Sequence, residues 1–296
     1  MENIMLVIKG FVMGIANIIP GVSGGTLALT LGIYEKFIGA ISHLMKNLKE
    51  NIKFLLPVFI GMGLSIVIGS NVVSLAFDKF PVPTTLFFMG LVLGGLPMIV
   101  DKIKNSMKKD KKKKIKQNSK VNYTIAIITF VFVMILAFSP EIFGKGLGDV
   151  DLANVSIFGY IILFLVGVVA AATMVIPGVS GSLVLMLLGF YLPVVNTIKE
   201  LTHFKNIGHN MLICIPFGLG VVIGIVLIAK LIEWLLNKYE TKSYFGVFGF
   251  VVASVIAIPI SVYHEVEYMP FTVIEGIIAI GLLLVGYFIG NKLGEK

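Results

Sequence analysis

Apolar stretches long enough to cross a lipid bilayer recur along this chain. Six of them are continuous and cover about 54–77, 84–101, 121–139, 211–236, 243–263 and 272–291. Hydrophobic residues make up 57% of the 296 residues and charged residues only 14%, which is more apolar surface than a soluble domain of this size could bury. The sequence therefore predicts an all-α integral membrane protein, with 1–296 forming a single membrane domain.

Two further apolar stretches, 4–35 and 157–191, are interrupted near their middle by Pro-Gly. Each half has about 15 residues, or about 22 Å as an α-helix, which is shorter than the roughly 30 Å hydrocarbon core of a bilayer. We therefore expect each stretch to form a re-entrant helical hairpin, in which one half-helix enters the bilayer and the other returns to the same side.

The two interrupted stretches are copies of one another. Residues 19–34 read IPGVSGGTLALTLGIY and residues 176–191 read IPGVSGSLVLMLLGFY, with nine of sixteen positions identical. Weaker similarity continues beyond them, so a unit of one hairpin, an amphipathic segment and three transmembrane helices is used twice. The predicted repeats cover about 1–139 and 155–296 and are joined by an external loop at about 140–156. Because a hairpin returns to its own side and three spans end on the other, the second repeat must be inverted.

Lysine supplies all the positive charge in a chain with a net charge of +8. The predicted loop at 102–120 holds ten lysines, and lysine-rich loops of membrane proteins lie in the cytoplasm. Counting the predicted crossings from that loop, we expect the N- and C-termini to be cytoplasmic as well. The run Lys108–Lys116 is expected to contact anionic lipids of the bilayer. This charge pattern gives no indication of a nucleic-acid partner, and the oligomeric state is left open.

The repeated Pro-Gly-Val-Ser-Gly turn predicts a site for an anion. Irregular backbone at membrane depth occurs only where it is buried in protein or lines a wet cavity, and the N-terminus of the following helix favours phosphate or carboxylate. A packing or hinge role is the alternative for a single turn, but a matched pair in an inverted repeat favours a ligand site. The predicted site residues are Pro20, Gly21, Val22, Ser23, Gly24, Gly25, Thr26, Pro177, Gly178, Val179, Ser180, Gly181 and Ser182.

The stretches 13–37 and 175–191, which contain the two turns, resemble the paired signatures of the polyprenyl-phosphate (undecaprenyl-phosphate) transporter family of bacteria and archaea. The resemblance covers essentially the whole chain. It implies that the anion is a polyprenyl phosphate, returned across the plasma membrane for reuse in envelope synthesis, with its tail in lipid or in a lateral groove. Asn17 stands where many members carry Asp, which puts ion coupling in doubt. We expect Asn17 to hydrogen-bond the phosphate or to cap the broken helix.

Four more residues are candidates for coupling or headgroup binding. Glu275, near the start of the last span, is expected either to take part in proton or headgroup chemistry or to reach interfacial water. Tyr34 and Tyr191 end the two hairpins at matched positions, where anchoring at the membrane interface is the expected role and closure over a headgroup the alternative. Lys36 lies at the mouth of the first hairpin and is placed to steer a phosphate.

Glycine-rich spans are predicted to permit close packing of helices. The glycines concerned are Gly61, Gly63, Gly69, Gly90, Gly94, Gly95, Gly218, Gly220 and Gly224.

Without the family resemblance, the same features fit a secondary transporter or channel for a small soluble anion equally well. An open lateral groove beside the hairpins would favour a lipid, whereas a closed aqueous vestibule would favour a small anion. Enzyme activity is not expected, because the predicted spans hold no clustered carboxylates and no suitably placed histidine. No metal site and no cofactor are predicted.

Overall fold

A computed structural model of the chain describes residues 2–18, 23–115, 118–139, 150, 152, 155–265 and 272–294. All regular elements in these ranges are helices. The first half contains α1 (Glu2–Ile18), α2 (Gly24–Thr30), α3 (Tyr34–Ser42), α4 (Leu48–Leu64), α5 (Ser70–Lys79), α6 (Pro81–Lys112) and α7 (Ser119–Ala137). The second half contains α8 (Ile157–Val175), α9 (Gly181–Leu187), α10 (Tyr191–Thr202), α11 (Ile207–Lys238), α12 (Glu240–Glu265) and α13 (Val273–Gly294). A π-helical turn, Ser65–Gly69, joins α4 to α5.

The order of helices is the same in both halves if α5 is counted as the continuation of α4 beyond the π-helical turn. The two arms of each predicted hairpin, however, are unequal. The sequence suggests arms of about 15 residues, whereas α1 and α8 have 17 and 19 residues and α2 and α9 have seven each. The short helices end early because a Leu-Gly pair follows each of them. Gly32 and Gly189 adopt positive φ angles of 71° and 76°, and the N–H of the next residue bonds back across the turn at 3.0 Å and 2.9 Å. This is the Schellman ending of an α-helix, which glycine favours.

Seven helices of the described part are long and apolar enough to cross a membrane. They are α4 with its π-helical turn, α6, α7, α8, α11, α12 as far as Ile260, and α13. Six of them correspond to the predicted continuous spans, and the seventh is α8, which is longer than the half-helix expected there. The pair α9 and α10 is bent by 111° and would count as an eighth if it formed one broken span.

The lysine-rich segment differs from the loop predicted at 102–120, because α6 remains helical as far as Lys112. Its polar end is held by contacts with the start of α12. Lys109 Nζ lies 2.7 Å from the Glu240 carboxylate, and the Thr241 hydroxyl donates to Asp110 at 2.5 Å.

Corresponding helices pack in corresponding pairs. In one kind of pair, α1 packs on α4 and α8 packs on α11; in the other, α6 packs on α13 and α12 packs on α7. Matched glycines allow the close approach: a Cβ added at Gly61 would overlap the Val7 carbonyl oxygen, and one at Gly220 would overlap that of Phe164. The packing role predicted for the glycines is confirmed at these positions. It is wrong for Gly63 and Gly218, which face open space.

Candidate functional site

The start of α2 lies directly against the second turn. The Gly178 N–H donates to the Thr26 hydroxyl at 2.6 Å, and the Ser23 hydroxyl donates to the Ile176 carbonyl at 3.2 Å. The residues that follow the first predicted turn, Ser23 and Thr26, therefore contact residues of the second turn. Three of the predicted site residues, Pro20, Gly21 and Val22, lie outside the described part of the chain.

The residues after the first turn are held by close packing and by a cap. All seven residues of α2 are buried, and a Cβ added at Gly25 would lie 2.7 Å from the Val175 carbonyl oxygen. The Gly24 N–H donates to Asn17 Oδ1 at 3.2 Å, so Asn17 caps the broken helix, which is one of its two predicted roles.

A buried lysine lies at the opposite end of α2. Lys9, on α1, is only 3% exposed, and its ammonium donates to the Leu31 carbonyl at 2.6 Å. Carbonyl groups at the C-terminal end of a helix attract a cation. Lys9 therefore fixes the end of α2 against α1, a role that the sequence did not suggest.

The second turn is described in full and depends on a left-handed glycine. Gly178 has a φ angle of 79°, and a Cβ there would lie 2.6 Å from the Phe250 carbonyl oxygen. The next residue, Val179, is buried in an apolar cluster with Val133 and Ala253. The turn is thereby packed between α7 and α12, and a side chain at position 178 would be excluded by strain and by contact.

The N-terminus of α9 is only partly capped. The Leu183 N–H approaches the Ser180 hydroxyl at 3.4 Å, and the hydroxyls of Ser180 and Ser182 lie 2.9 Å apart. Among the residues that the structure describes, the N–H groups of Gly181 and Ser182 have no hydrogen-bond partner. This second turn therefore keeps donors that an anion could use.

An apolar groove with a volume of about 530 Å³ extends from the second turn. Its inner end is formed by Tyr34, Ile176 and Pro177, and Tyr239, Lys242 and Ser243 line its other end. The walls come from α7, α11 and α12, with Ile125, Thr129, Ile228, Leu231, Ile232, Leu235, Leu236, Gly246, Val247 and Phe250. Leu231 and Tyr239 are exposed, so the groove opens sideways between helices.

The two hairpin tyrosines lie in different environments. Tyr34 is only 3% exposed, and its hydroxyl donates to the Val175 carbonyl at 3.2 Å. It links the two halves at the inner end of the groove and is not an interface anchor. Tyr191 is half-buried as the first residue of α10 and packs on the cluster that contains Leu163.

Glu275 and Lys36 make local contacts. Glu275 accepts a hydrogen bond from the Thr272 N–H at 2.7 Å, and its own N–H donates to the Thr272 hydroxyl at 3.2 Å. This reciprocal pair is a capping box at the start of α13. Lys36 is exposed and its Nζ lies 4.7 Å from the centre of the Phe54 ring. Neither residue lines the groove.

An ionic contact beside the groove was not predicted from the sequence. Glu35, on α3, accepts hydrogen bonds from Lys102 at 2.6 Å and from the Tyr244 hydroxyl. Partial burial opposes ionisation of Glu35, but the hydrogen bonds from Lys102 and Tyr244 outweigh it and hold the pKa of the carboxyl below its usual range. Glu35 thus connects α3 to α6 and α12 as a carboxylate.

Comparison with known proteins gives a consistent result along the whole chain. A polyprenyl-phosphate transporter of Staphylococcus aureus is 29% identical over 290 residues, which are 98% of this chain and 95% of that protein. A polyprenyl-phosphate transporter of Vibrio cholerae is 27% identical over 254 residues, covering 81% of this chain and 72% of that protein. No solved structure matches the chain. Residues 13–272 match the family described as undecaprenyl phosphate translocase-like, and the chain therefore belongs to that family.

Proposed function

We propose that this protein transports a polyprenyl phosphate, such as undecaprenyl phosphate, across the plasma membrane by alternating access. The isoprenoid tail lies in the groove between α7, α11 and α12, and the phosphate passes the paired turns. The names of the two relatives support the substrate class. The groove supports the way in which this chain would hold it.

The observation that carries the proposal is the apolar, laterally open groove that ends at the second turn. A groove of about 530 Å³ falls within the roughly 300–1,000 Å³ typical of ligand sites. It can therefore hold part of a long tail while the remainder stays in lipid. A small soluble anion would instead need a polar vestibule, and the walls of this groove are mainly aliphatic. This difference favours the lipid over the small anion.

The phosphate site in this proposal consists of the residues around the two turns, from Asn17 to Thr26 and from Pro177 to Ser182. Within the second turn, whose residues the structure describes, the proposal uses the N–H groups of Gly181 and Ser182 as donors. The Gly178 N–H is already bound to Thr26 at 2.6 Å. In the proposed cycle, the contact between Thr26 and Gly178 therefore opens and closes as the headgroup passes.

The proposed orientation places both termini in the cytoplasm, with the second repeat inverted relative to the first. Contacts at one end of the bundle support it. The end of α6 lies against the start of α12 through Lys109 and Glu240, 2.7 Å apart. A Cβ at Gly32 would lie 2.8 Å from the Gly294 carbonyl oxygen, so the end of α13 lies beside the end of α2. These are segments that the lysine distribution assigns to the cytoplasmic side.

A binding measurement tests the substrate. Purified protein is titrated with polyprenyl phosphate, polyprenyl diphosphate, the uncharged polyprenol and inorganic phosphate. We expect polyprenyl phosphate to bind at least about tenfold more tightly than polyprenol or inorganic phosphate, because polyprenol lacks the anionic headgroup and inorganic phosphate lacks the tail for the groove. Equal or tighter binding of inorganic phosphate would favour the small-anion transporter, and no binding of the lipid would contradict the proposal.

A further inference from the structure

The cationic residue of the groove lies far from the turns. Lys242 lines the mouth of the groove, whereas Phe250 lines it beside the second turn. The two residues are eight positions apart on α12, which corresponds to about 12 Å along a helix. The inner end, at Tyr34, Ile176 and Pro177, contributes no charged side chain. A phosphate at the turns and a phosphate at Lys242 would therefore occupy different positions.

A second lysine accompanies Lys242 at the mouth. The Nζ atoms of Lys242 and Lys238 lie 5.3 Å and 5.5 Å from the centre of the Tyr239 ring. Lys238 Nζ also lies 5.0 Å from the centre of the Trp234 ring. The single residue Tyr239 connects α11 to α12, so this tight connection holds both ammonium groups and both rings together. Cation–π contacts orient the lysines without neutralising them.

The two glutamates near the mouth already have cationic partners, and Asp110 accepts a hydrogen bond from the Thr241 hydroxyl. Glu240 lies 2.7 Å from Lys109, and Glu35 lies 2.6 Å from Lys102. Within the described ranges, neither Lys238 nor Lys242 has a carboxylate within salt-bridge distance. In the described part of the chain, the mouth therefore carries two lysines that form no salt bridge, at the end of an apolar groove.

We propose that Lys242 and Lys238 form a separate site for the phosphomonoester headgroup of a lipid whose tail occupies the groove. This inference rests on the proposed function and adds a second headgroup position to it, at the mouth. A phosphomonoester carries up to two negative charges and three acceptor oxygens, so it suits two neighbouring ammonium groups. Each ammonium binds phosphate as a compact charge with three donors.

The position of the mouth favours a lipid over free phosphate as the source of that headgroup. Trp234 and Tyr239 are partly exposed aromatic residues at the helix ends, and such residues lie at the level of lipid headgroups. The aliphatic residues Leu235 and Leu236 begin the groove immediately beside them. A lipid can contact both parts at once, whereas inorganic phosphate can contact only the lysines.

The test compares K238Q/K242Q with the matched double variant K46Q/K230Q. Lys46 and Lys230 line a different cavity, together with Glu233, so the control removes the same charge from outside the groove. Affinities for polyprenyl phosphate, polyprenol and inorganic phosphate are measured for each purified protein. We expect K238Q/K242Q to weaken polyprenyl phosphate binding roughly tenfold or more and to leave polyprenol binding unchanged. The control should bind all three ligands as the wild type does, and K238R/K242R should retain most of the affinity.

The outcomes separate the two proposals. If the wild type binds polyprenyl phosphate and K238Q/K242Q binds it equally well, the headgroup site at the mouth is wrong and the proposed function remains. If inorganic phosphate binds the wild type as tightly as the lipid and is lost equally in K238Q/K242Q, the lysines bind a free anion and the lipid assignment is overturned. If the wild type binds no polyprenyl phosphate, both proposals fail.

Discussion

Thr26 joins the two halves of the chain at the predicted site. Its side chain is 1% exposed, and its hydroxyl accepts the Gly178 N–H at 2.6 Å. At the corresponding position, the second repeat carries the apolar Leu183. The sequence repeat therefore identifies the right segment, but it cannot reveal a contact that only one of the two copies makes.

Replacing Thr26 with Val removes the acceptor while nearly preserving side-chain volume. The buried Gly178 N–H loses its partner, so we expect Thr26→Val to lower the free energy of unfolding by about 1–3 kcal/mol. Thr26→Ser keeps the hydroxyl and should recover most of the loss. Unfolding of the purified protein in detergent measures both effects.

Thr30→Val is the control for that comparison, because the Thr30 hydroxyl donates only to the Thr26 carbonyl within α2. It should change stability less than Thr26→Val does. The stabilising role proposed for the Thr26 hydroxyl would be contradicted if Thr26→Val and Thr26→Ser were equally stable. It would also be contradicted if Thr30→Val lowered the free energy of unfolding more than Thr26→Val does.

At the level of the helices, hydropathy predicted the membrane-spanning helices well, but it did not predict where the short helices α2 and α9 end. The six continuous spans correspond to helices of the structure, because long apolar stretches must bond their own backbone groups inside a bilayer. The short α2 and α9 were not expected, since Leu31-Gly32 and Leu188-Gly189 do not interrupt the hydropathy. These helices end where Gly32 and Gly189 adopt positive φ angles of 71° and 76°.

Two glycines on α11 provide a matched test of helix packing. A Cβ at Gly220 would overlap the Phe164 carbonyl oxygen, whereas Gly218 has nothing within 4 Å. We expect Gly220→Ala to separate α11 from α8 and to destabilise the protein by about 1–3 kcal/mol. Gly218→Ala should be neutral or stabilising by up to about 1 kcal/mol, because alanine favours a helix.

Unfolding in detergent, at matched protein concentration, compares these two variants. Equal stability of Gly220→Ala and Gly218→Ala would contradict the close packing of α8 on α11.

For the whole molecule, the candidate site was only partly predictable. The repeated turns were recognisable because the sequence Pro-Gly-Val-Ser-Gly occurs twice in the chain. In the structure, α2 lies against the second of these turns. The groove could not be found in this way, because its walls come from helices of both halves, α7 on one side and α11 and α12 on the other. Lys242 and Tyr239 looked like ordinary residues of a short connection, and only the three-dimensional arrangement places them at the mouth of a groove.

Translocation of polyprenyl phosphate in proteoliposomes tests the central claim most directly, with Gly246→Phe compared with Gly246→Ala. Gly246 lines the groove, and a Cβ there would make ordinary contacts at 3.4 Å and 3.6 Å, so alanine fits while phenylalanine extends into the space proposed for the tail. We expect wild type and Gly246→Ala to translocate the lipid and Gly246→Phe, reconstituted in equal amount, to be slower by roughly tenfold or more. Transport by Gly246→Phe at the wild-type rate, or wild-type vesicles no faster than protein-free vesicles, would contradict transport through this groove.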